Sequence, residues 1–183
     1  MERTSKVDRL SVKDANLIQL YSAPTPNGIK VAACLEEISI IRQDESFSYE
    51  PHSVDIRHGE NSSPEFRKIF PTGKIPAILD LKSYGDKEVK VFESGCILLY
   101  LADKYDALIP ADTTLRIETQ KWLFWGSASF SVQLKLFGFY YKYCPHGLPY
   151  CINRYAKECH RLFGMLEAQL QSHGKHWVVG GKW

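Results

Sequence analysis

Three short stretches of the chain carry side chains that could handle a small peptide. At Thr25-Pro26-Asn27 a hydroxyl precedes a proline and an amide, the signature of an N-cap followed by proline at the first helical position. A helix starting there would aim free N–H groups and the positive end of its dipole outward. A thiol placed at that tip would find its thiolate favoured by the dipole, the Thr25 hydroxyl and the Asn27 amide. Ile75-Pro76 sits in the corner Pro71-Thr72-Gly73-Lys74-Ile75-Pro76. A cis bond there, the state of only about 5% of such bonds in folded proteins, would turn the Ile75 N–H and C=O toward an extended peptide. At Glu93-Ser94 a carboxylate adjoins a hydroxyl at a helix start, which suits the ammonium and carboxylate of one α-amino acid head. Lys74 could pair with a second carboxylate, and Asn61 lies in the loop 57–63. Each piece also has a plain reading: Thr25 and Ser94 as helix caps, Lys74 as a solvated charge, Asn61 as a turn residue.

The elements around these stretches follow from periodicity. Leu17 to Tyr21 is a short apolar run expected to be a buried strand. Val31, Leu35 and Ile38 recur at helical spacing after Thr25-Pro26, with Glu36 and Glu37 on the other side. Tyr49 to Asp55 reads as a strand that Pro51 confines to a sheet edge, and Pro64 to Ile69 as a short helix. The corner then feeds a strand. A polar turn around Gly85 and Asp86 leads to a second strand, Glu88 to Phe92, and a helix from Ser94 carries Ile97, Leu101 and Tyr105 on one stripe. The expected sheet has its first two strands parallel through a right-handed crossover and adds an antiparallel hairpin, with helices on both sides.

Downstream the pattern is helical throughout. Trp122, Trp125, Ser129, Val132, Leu136, Tyr140 and Tyr143 define one long face, broken by Pro145 to Pro149. Ile152, Tyr155, Cys159, Leu162, Leu166 and Leu170 define a second. The expected organisation is an N-terminal arm over 1–16, a ligand-binding domain over 17–105, a linker over 106–112 and a helical domain over 113–183.

Bulk composition narrows the function classes. The net charge of +2 gives no reason to expect nucleic acid or an acidic membrane as partner. No apolar run approaches the roughly 20 residues that span a bilayer, and the first residues lack the apolar core of a secretory signal. Five cysteines without a Cys-x-x-Cys spacing suit reduced thiols and a cytoplasmic location. Cys144, Cys151, Cys159, His146 and His160 match no zinc-ligand spacing, so no metal is expected. Cys34 and Cys96, in apolar helical turns, are expected to be buried filler. The aromatics Phe137, Phe139, Tyr140, Tyr141 and Tyr143 are divided between core and the lining of a pocket for an electrophile.

Taken together, the motifs resemble those of the glutathione transferases, most closely the nu class and the fungal nitrogen-regulator-like members. The resemblance is carried by Ser22-Ala23-Pro24-Thr25-Pro26-Asn27-Gly28, Leu35-Glu36-Glu37, Pro71 to Ile78, Phe92-Glu93-Ser94-Gly95 with Ile97 to Ala102, Trp122 to Trp125 and Tyr150 to Tyr155. It implies a thioredoxin-like domain that binds glutathione as cosubstrate, followed by a glutathione-transferase-type helical domain that is cut short at Trp183. Carried over by position, Thr25 and Asn27 face the glutathione sulfur as the catalytic pair. Ile75, before Pro76, pairs through its backbone with the cysteinyl unit, and Glu93 and Ser94 hold the γ-glutamyl head. Lys74 lies near the glycyl end, and Asn61 stands at a loop position where glutamine is common, so that its contact with the ligand is shorter. Arg154 reaches the glutathione of a partner subunit. The implied protein is a homodimer that reduces disulfides or conjugates small electrophiles in detoxification. The alternative it leaves is a glutathione-binding regulatory protein of the same fold with little catalysis.

Overall fold

The computed structural model describes residues 18–43, 47–83, 87–172 and 177–180. The chain divides into two compact units between Leu108 and Ile109.

The first unit is built on a mixed sheet of four strands: β1 (Ile18–Ser22), β2 (Tyr49–Ser53), β3 (Ala77–Asp80) and β4 (Val89–Phe92), in the order β2-β1-β3-β4. β1 and β2 are parallel, joined through helix α1 (Pro26–Arg42), while β1 with β3 and β3 with β4 are antiparallel. Pro51 sits in edge strand β2, where a missing N–H costs no ladder bond on the open side. The expected turn at Gly85 and Asp86, the arm over 1–16 and Leu17 lie outside the described residues.

Strand alternation sorts the core into two layers. Ile18 and Leu20 of β1, Ile78 of β3 and Val91 of β4 face α1 and α3 (Ser94–Tyr105), meeting Val31, Leu35, Ile38, Ile97 and Leu101. Ile97 and Leu101 are fully buried, each contributing about 1.5–3 kcal/mol. Tyr21, Ala77 and Leu79 face the other way, onto Phe66 and Phe70 from α2 (Pro64–Ile69) and its end. Cys34 belongs to the first layer, as expected, and burial pushes its thiol up to about 11. Cys96 is a correction: it is exposed, because the buried stripe of α3 runs through Ser94, Ile97 and Leu101 and Cys96 falls off it.

At the far end of β3 the buried Asp80 carboxylate gathers a polar network. It accepts from Tyr100 Oη at 2.5 Å, from Lys104 Nζ, and from the Lys82 N–H at 3.0 Å. Tyr105 lies alongside, its phenol pushed up to about 12 by burial and by the Asp80 charge.

The second unit holds α4 (Thr113–Trp125), α5 (Ser131–Gly138) and α6 (Pro149–Ser172). Asp112 caps α4, accepting from the Leu115 N–H at 2.9 Å. The long face expected from Trp122 to Tyr143 is interrupted by π-helical turns at Gly126–Phe130 and Phe139–Tyr143. Each such turn fits an extra residue into the ladder and rotates the downstream side chains about the axis, so a constant 3.6-residue spacing does not describe the run. Phe130 packs edge-on against Phe163, and Tyr140 stacks on Tyr155 at 5.4 Å. On α6 the expected stripe is buried at its centre, Cys159 and Leu162.

Candidate functional site

Strand register brings the three sequence motifs to one end of the sheet. Ser22 pairs with Ser53, Tyr21 with Ala77, and Ala77 with Phe92. The chain therefore leaves β1 toward Thr25, enters β3 from Pro76 and leaves β4 into Glu93, all along the same edge. Across that edge the order is the β2 loop, the α1 tip, the proline corner and the start of α3.

The α1 tip is a capped helix start. Thr25 is extended at φ −117° and ψ 158°, and its hydroxyl oxygen accepts from the Gly28 N–H at 3.2 Å. The Thr25 O–H itself stays available as a donor. Pro26 has no N–H, so the Asn27 backbone and side-chain amides complete the tip, and Asn27 is exposed. Gly28, whose part in this the sequence did not reveal, holds the tip against the strand end. A Cβ there would lie 2.3 Å from the Ala23 carbonyl oxygen and 2.4 Å from Ser22 Oγ.

In the corner, the Ile75-Pro76 bond is cis. Among the described residues the Ile75 N–H and C=O make no hydrogen bond. They form a short length of pairing backbone left open beside β3. Asn61 reaches this corner from the β2 loop, but its side-chain amide donates to the Gly73 carbonyl at 2.7 Å. One of its two amide hydrogens is thus committed to bracing the corner. Its loop is ordered by Asp55, which accepts from the Arg57 and His58 N–H groups and bonds the His58 ring; that bond holds the Asp55 carboxyl below its usual range. Lys74 is exposed.

Glu93, not Ser94, is the cap residue of α3, and Ser94 is the first helical residue. The plain reading of Ser94 as the cap therefore does not hold. Glu93 adopts φ +66° and ψ 113°, a conformation costing a side-chain-bearing residue about 1–3 kcal/mol. That backbone leaves the Glu93 carboxylate exposed while Ser94 is buried at the helix start. Lys30 on α1 was not singled out by sequence, because a charged residue on an amphipathic helix reads as solvated. Burial lowers its ammonium's pKa below the ordinary value, and the nearby Glu93 carboxylate opposes that shift.

Arg154 belongs to the second unit. It is exposed and lines a groove of about 650 Å³ between α5 and α6, with Gln133, Tyr150, Asn153, Tyr155, Lys157, Glu158 and Arg161. None of the five aromatics Phe137, Phe139, Tyr140, Tyr141 and Tyr143 lines that groove. Phe139, Tyr141 and Tyr143 are exposed large apolar side chains. Among the described residues no group of three or more His, Cys, Asp or Glu is placed to hold a metal ion. No helix of the described residues is long and apolar enough to cross a membrane.

Comparison with known proteins matches this architecture. Residues 18–103 match the family described as glutathione S-transferase, N-terminal domain. A GST-like protein of Streptococcus mutans is 37% identical over 176 residues, covering 96% of this chain and 65% of that protein. The disulfide-bond oxidoreductase YfcG of Escherichia coli is 38% identical over 165 residues, covering 90% of this chain and 73% of that protein. The crystal structure of a glutathione transferase family member from Pseudomonas fluorescens with two glutathione bound superposes with a TM-score of 0.87 at 35% identity. It covers 100% of this chain and 77% of its own. The chain thus spans just under two thirds of the streptococcal relative's length. With an identity of 38% across most of a relative's length, and the α1 tip, proline corner and α3 start aligned on one sheet edge, the chain belongs to the glutathione S-transferase family.

Proposed function

We propose that the chain binds glutathione along this sheet edge and uses its thiolate to reduce disulfides or conjugate small electrophiles. The observation that carries the reading is the α1 tip: a hydroxyl-capped helix start, with Thr25 where a nucleophile would stand and no cysteine beside it. Cys34, the nearest thiol along α1, is buried and raised to about 11, so it is inert. The sulfur therefore arrives with the ligand, and Thr25 O–H with the Asn27 amides stabilise it as thiolate. The γ-glutamyl head binds at Glu93 and Ser94, and the cysteinyl unit pairs with the Ile75 peptide group.

For a disulfide substrate, the bound thiolate attacks one sulfur, forming a mixed disulfide and releasing the other sulfur as a thiolate that takes a proton. A second glutathione thiolate then attacks the mixed disulfide, giving oxidised glutathione and the second reduced thiol. Two glutathione molecules are oxidised for each disulfide reduced. Disulfide reduction is favoured over conjugation by the name of the E. coli relative and by the two glutathiones bound in the Pseudomonas structure. The reading extends to a homodimer in which Arg154 serves the partner's ligand, in the cytoplasm and in detoxification.

Turnover of a small model disulfide with glutathione tests the assignment. Thr25→Ala and Asn27→Ala are each expected to lower kcat by about 10–100-fold while glutathione binding changes little. Unchanged rates in both variants would reject their role. Background turnover in the wild type with glutathione binding retained would favour the regulatory protein instead.

A further inference from the structure

Two cysteines of the second unit take no part in the proposed reaction, and the fold brings them to one place. Phe130 packs on Phe163, and further along Tyr140 stacks on Tyr155, so the run through α5 and the run of α6 are antiparallel. The register that sets Tyr140 on Tyr155 continues toward the turn between the two runs. One helical turn on, it places Cys144 across from Cys151, each four residues from its tyrosine.

Prolines fix that turn at both ends. Pro145 keeps Cys144 out of the helix, extended at φ −65° and ψ 124°, and Pro149 opens α6 at its first position. The Cys144 N–H still closes the preceding π-helical turn, donating to the Phe139 carbonyl at 2.9 Å. Its Sγ–H points into the turn and donates to the His146 carbonyl at 3.1 Å. Cys144 and Cys151 are half-buried, whereas Cys34 and Cys159 are buried. The Tyr140 phenol feels both thiols: Cys151 raises its pKa most, followed by burial, Tyr155 and Cys144. Both sulfurs therefore lie around one phenol, on the turn side of the tyrosine stack. The adjoining groove, which Tyr155 also lines, carries Arg154 and Lys157, and these draw a negatively charged reagent to this face.

We propose that Cys144 and Cys151 form a dithiol that oxidised glutathione converts to a disulfide across the turn leading into α6. One cysteine, as its thiolate, attacks a sulfur of oxidised glutathione. A mixed protein–glutathione disulfide forms, and one glutathione thiolate leaves and takes the cysteine's proton. The second cysteine attacks the protein sulfur of the mixed disulfide, closing the bridge and releasing the second glutathione. The dithiol is oxidised by two electrons, and oxidised glutathione is reduced to two glutathiones. Bridging fastens the two ends of the turn and gives up the bond from Cys144 to His146. The second unit thereby registers the balance of oxidised and reduced glutathione. This dithiol is separate from the α1 tip and stands whether or not the tip binds glutathione.

Equilibrating the full chain at stepped ratios of oxidised to reduced glutathione, then alkylating free thiols and mapping peptides by mass, tests it. The wild type is expected to yield a linked Cys144–Cys151 peptide. Because the fold holds the thiols together, the bridge is expected at a ratio about tenfold less oxidising than the urea-unfolded chain requires. Thr25→Ala is expected to form the same bridge. Cys144→Ser and Cys151→Ser are each expected to stop at a mixed disulfide on the remaining cysteine. A native wild-type chain that carries only mixed disulfides at Cys144 and Cys151, or leaves both thiols free, would overturn the proposal. So would a bridge that forms no more readily in the native chain than in the unfolded one.

Discussion

Replacing Gly28 with alanine is expected to cut glutathione-dependent turnover about a hundredfold and to destabilise the first unit by about 2–4 kcal/mol, adding overpacking to a lost cap. The new methyl group would sit 2.3 Å from the Ala23 carbonyl oxygen. Ser22 Oγ can rotate away, but the carbonyl cannot, because it also accepts the Thr25 N–H at 2.7 Å. Relief must come from the first turn of α1, whose Gly28 N–H is the donor to the Thr25 hydroxyl. Moving that turn displaces Thr25 and Asn27 together. Steady-state kinetics and thermal melting of Gly28→Ala check this. Wild-type values in both would mean that the tip tolerates motion and that its geometry is not what activates the sulfur.

Asp80→Ala is expected to cost about 3–5 kcal/mol, the range for stranding the partner of a buried ion pair. Asp80 is 1% exposed and Lys104 16%, so solvent screens the pair little. Without the carboxylate, the Lys104 ammonium, the Tyr100 hydroxyl and the Lys82 N–H lose their common acceptor. Replacing both charges, as in Asp80→Leu with Lys104→Met, should recover part of the loss, since no unpaired charge then stays buried. The network lies at the end of β3 away from the α1 tip, so glutathione affinity of the folded protein should not change. Chemical denaturation gives the answer. A loss under about 1 kcal/mol would place the pair with ordinary surface ion pairs.

These two residues show where sequence reading stops. Thr25, Pro76 and Glu93-Ser94 announce themselves through local grammar: a hydroxyl before a proline, a proline after an apolar residue at a corner, an acid and a hydroxyl at a helix start. Local signals also carried the strand order, because alternation and crossover rules act on neighbouring segments. Gly28 is different. Its need for a bare Cα comes from the Ala23 carbonyl pressing on it after β1 and α1 have packed. Asp80 reads as a polar residue ending a strand until α3 brings Tyr100 and Lys104 to it. Lys30 looks like a solvated helix charge, and only the fold buries it and brings the Glu93 carboxylate near it. Cys96 failed for a matter of phase, one residue off the buried stripe of α3. The π-helical turns of the second unit left no trace that a fixed helical period could register.

The central claim is that the α1 tip lowers the ionisation pH of a thiol carried in by glutathione. Tracking the ultraviolet absorbance of the thiolate as the pH of a protein–glutathione complex is raised measures this directly. The bound thiol is expected to ionise well below the value of about 8.5 for a free thiol, with Thr25→Ala shifting it back upward. A bound thiol that titrates together with free glutathione, in wild type and variant alike, would contradict the account.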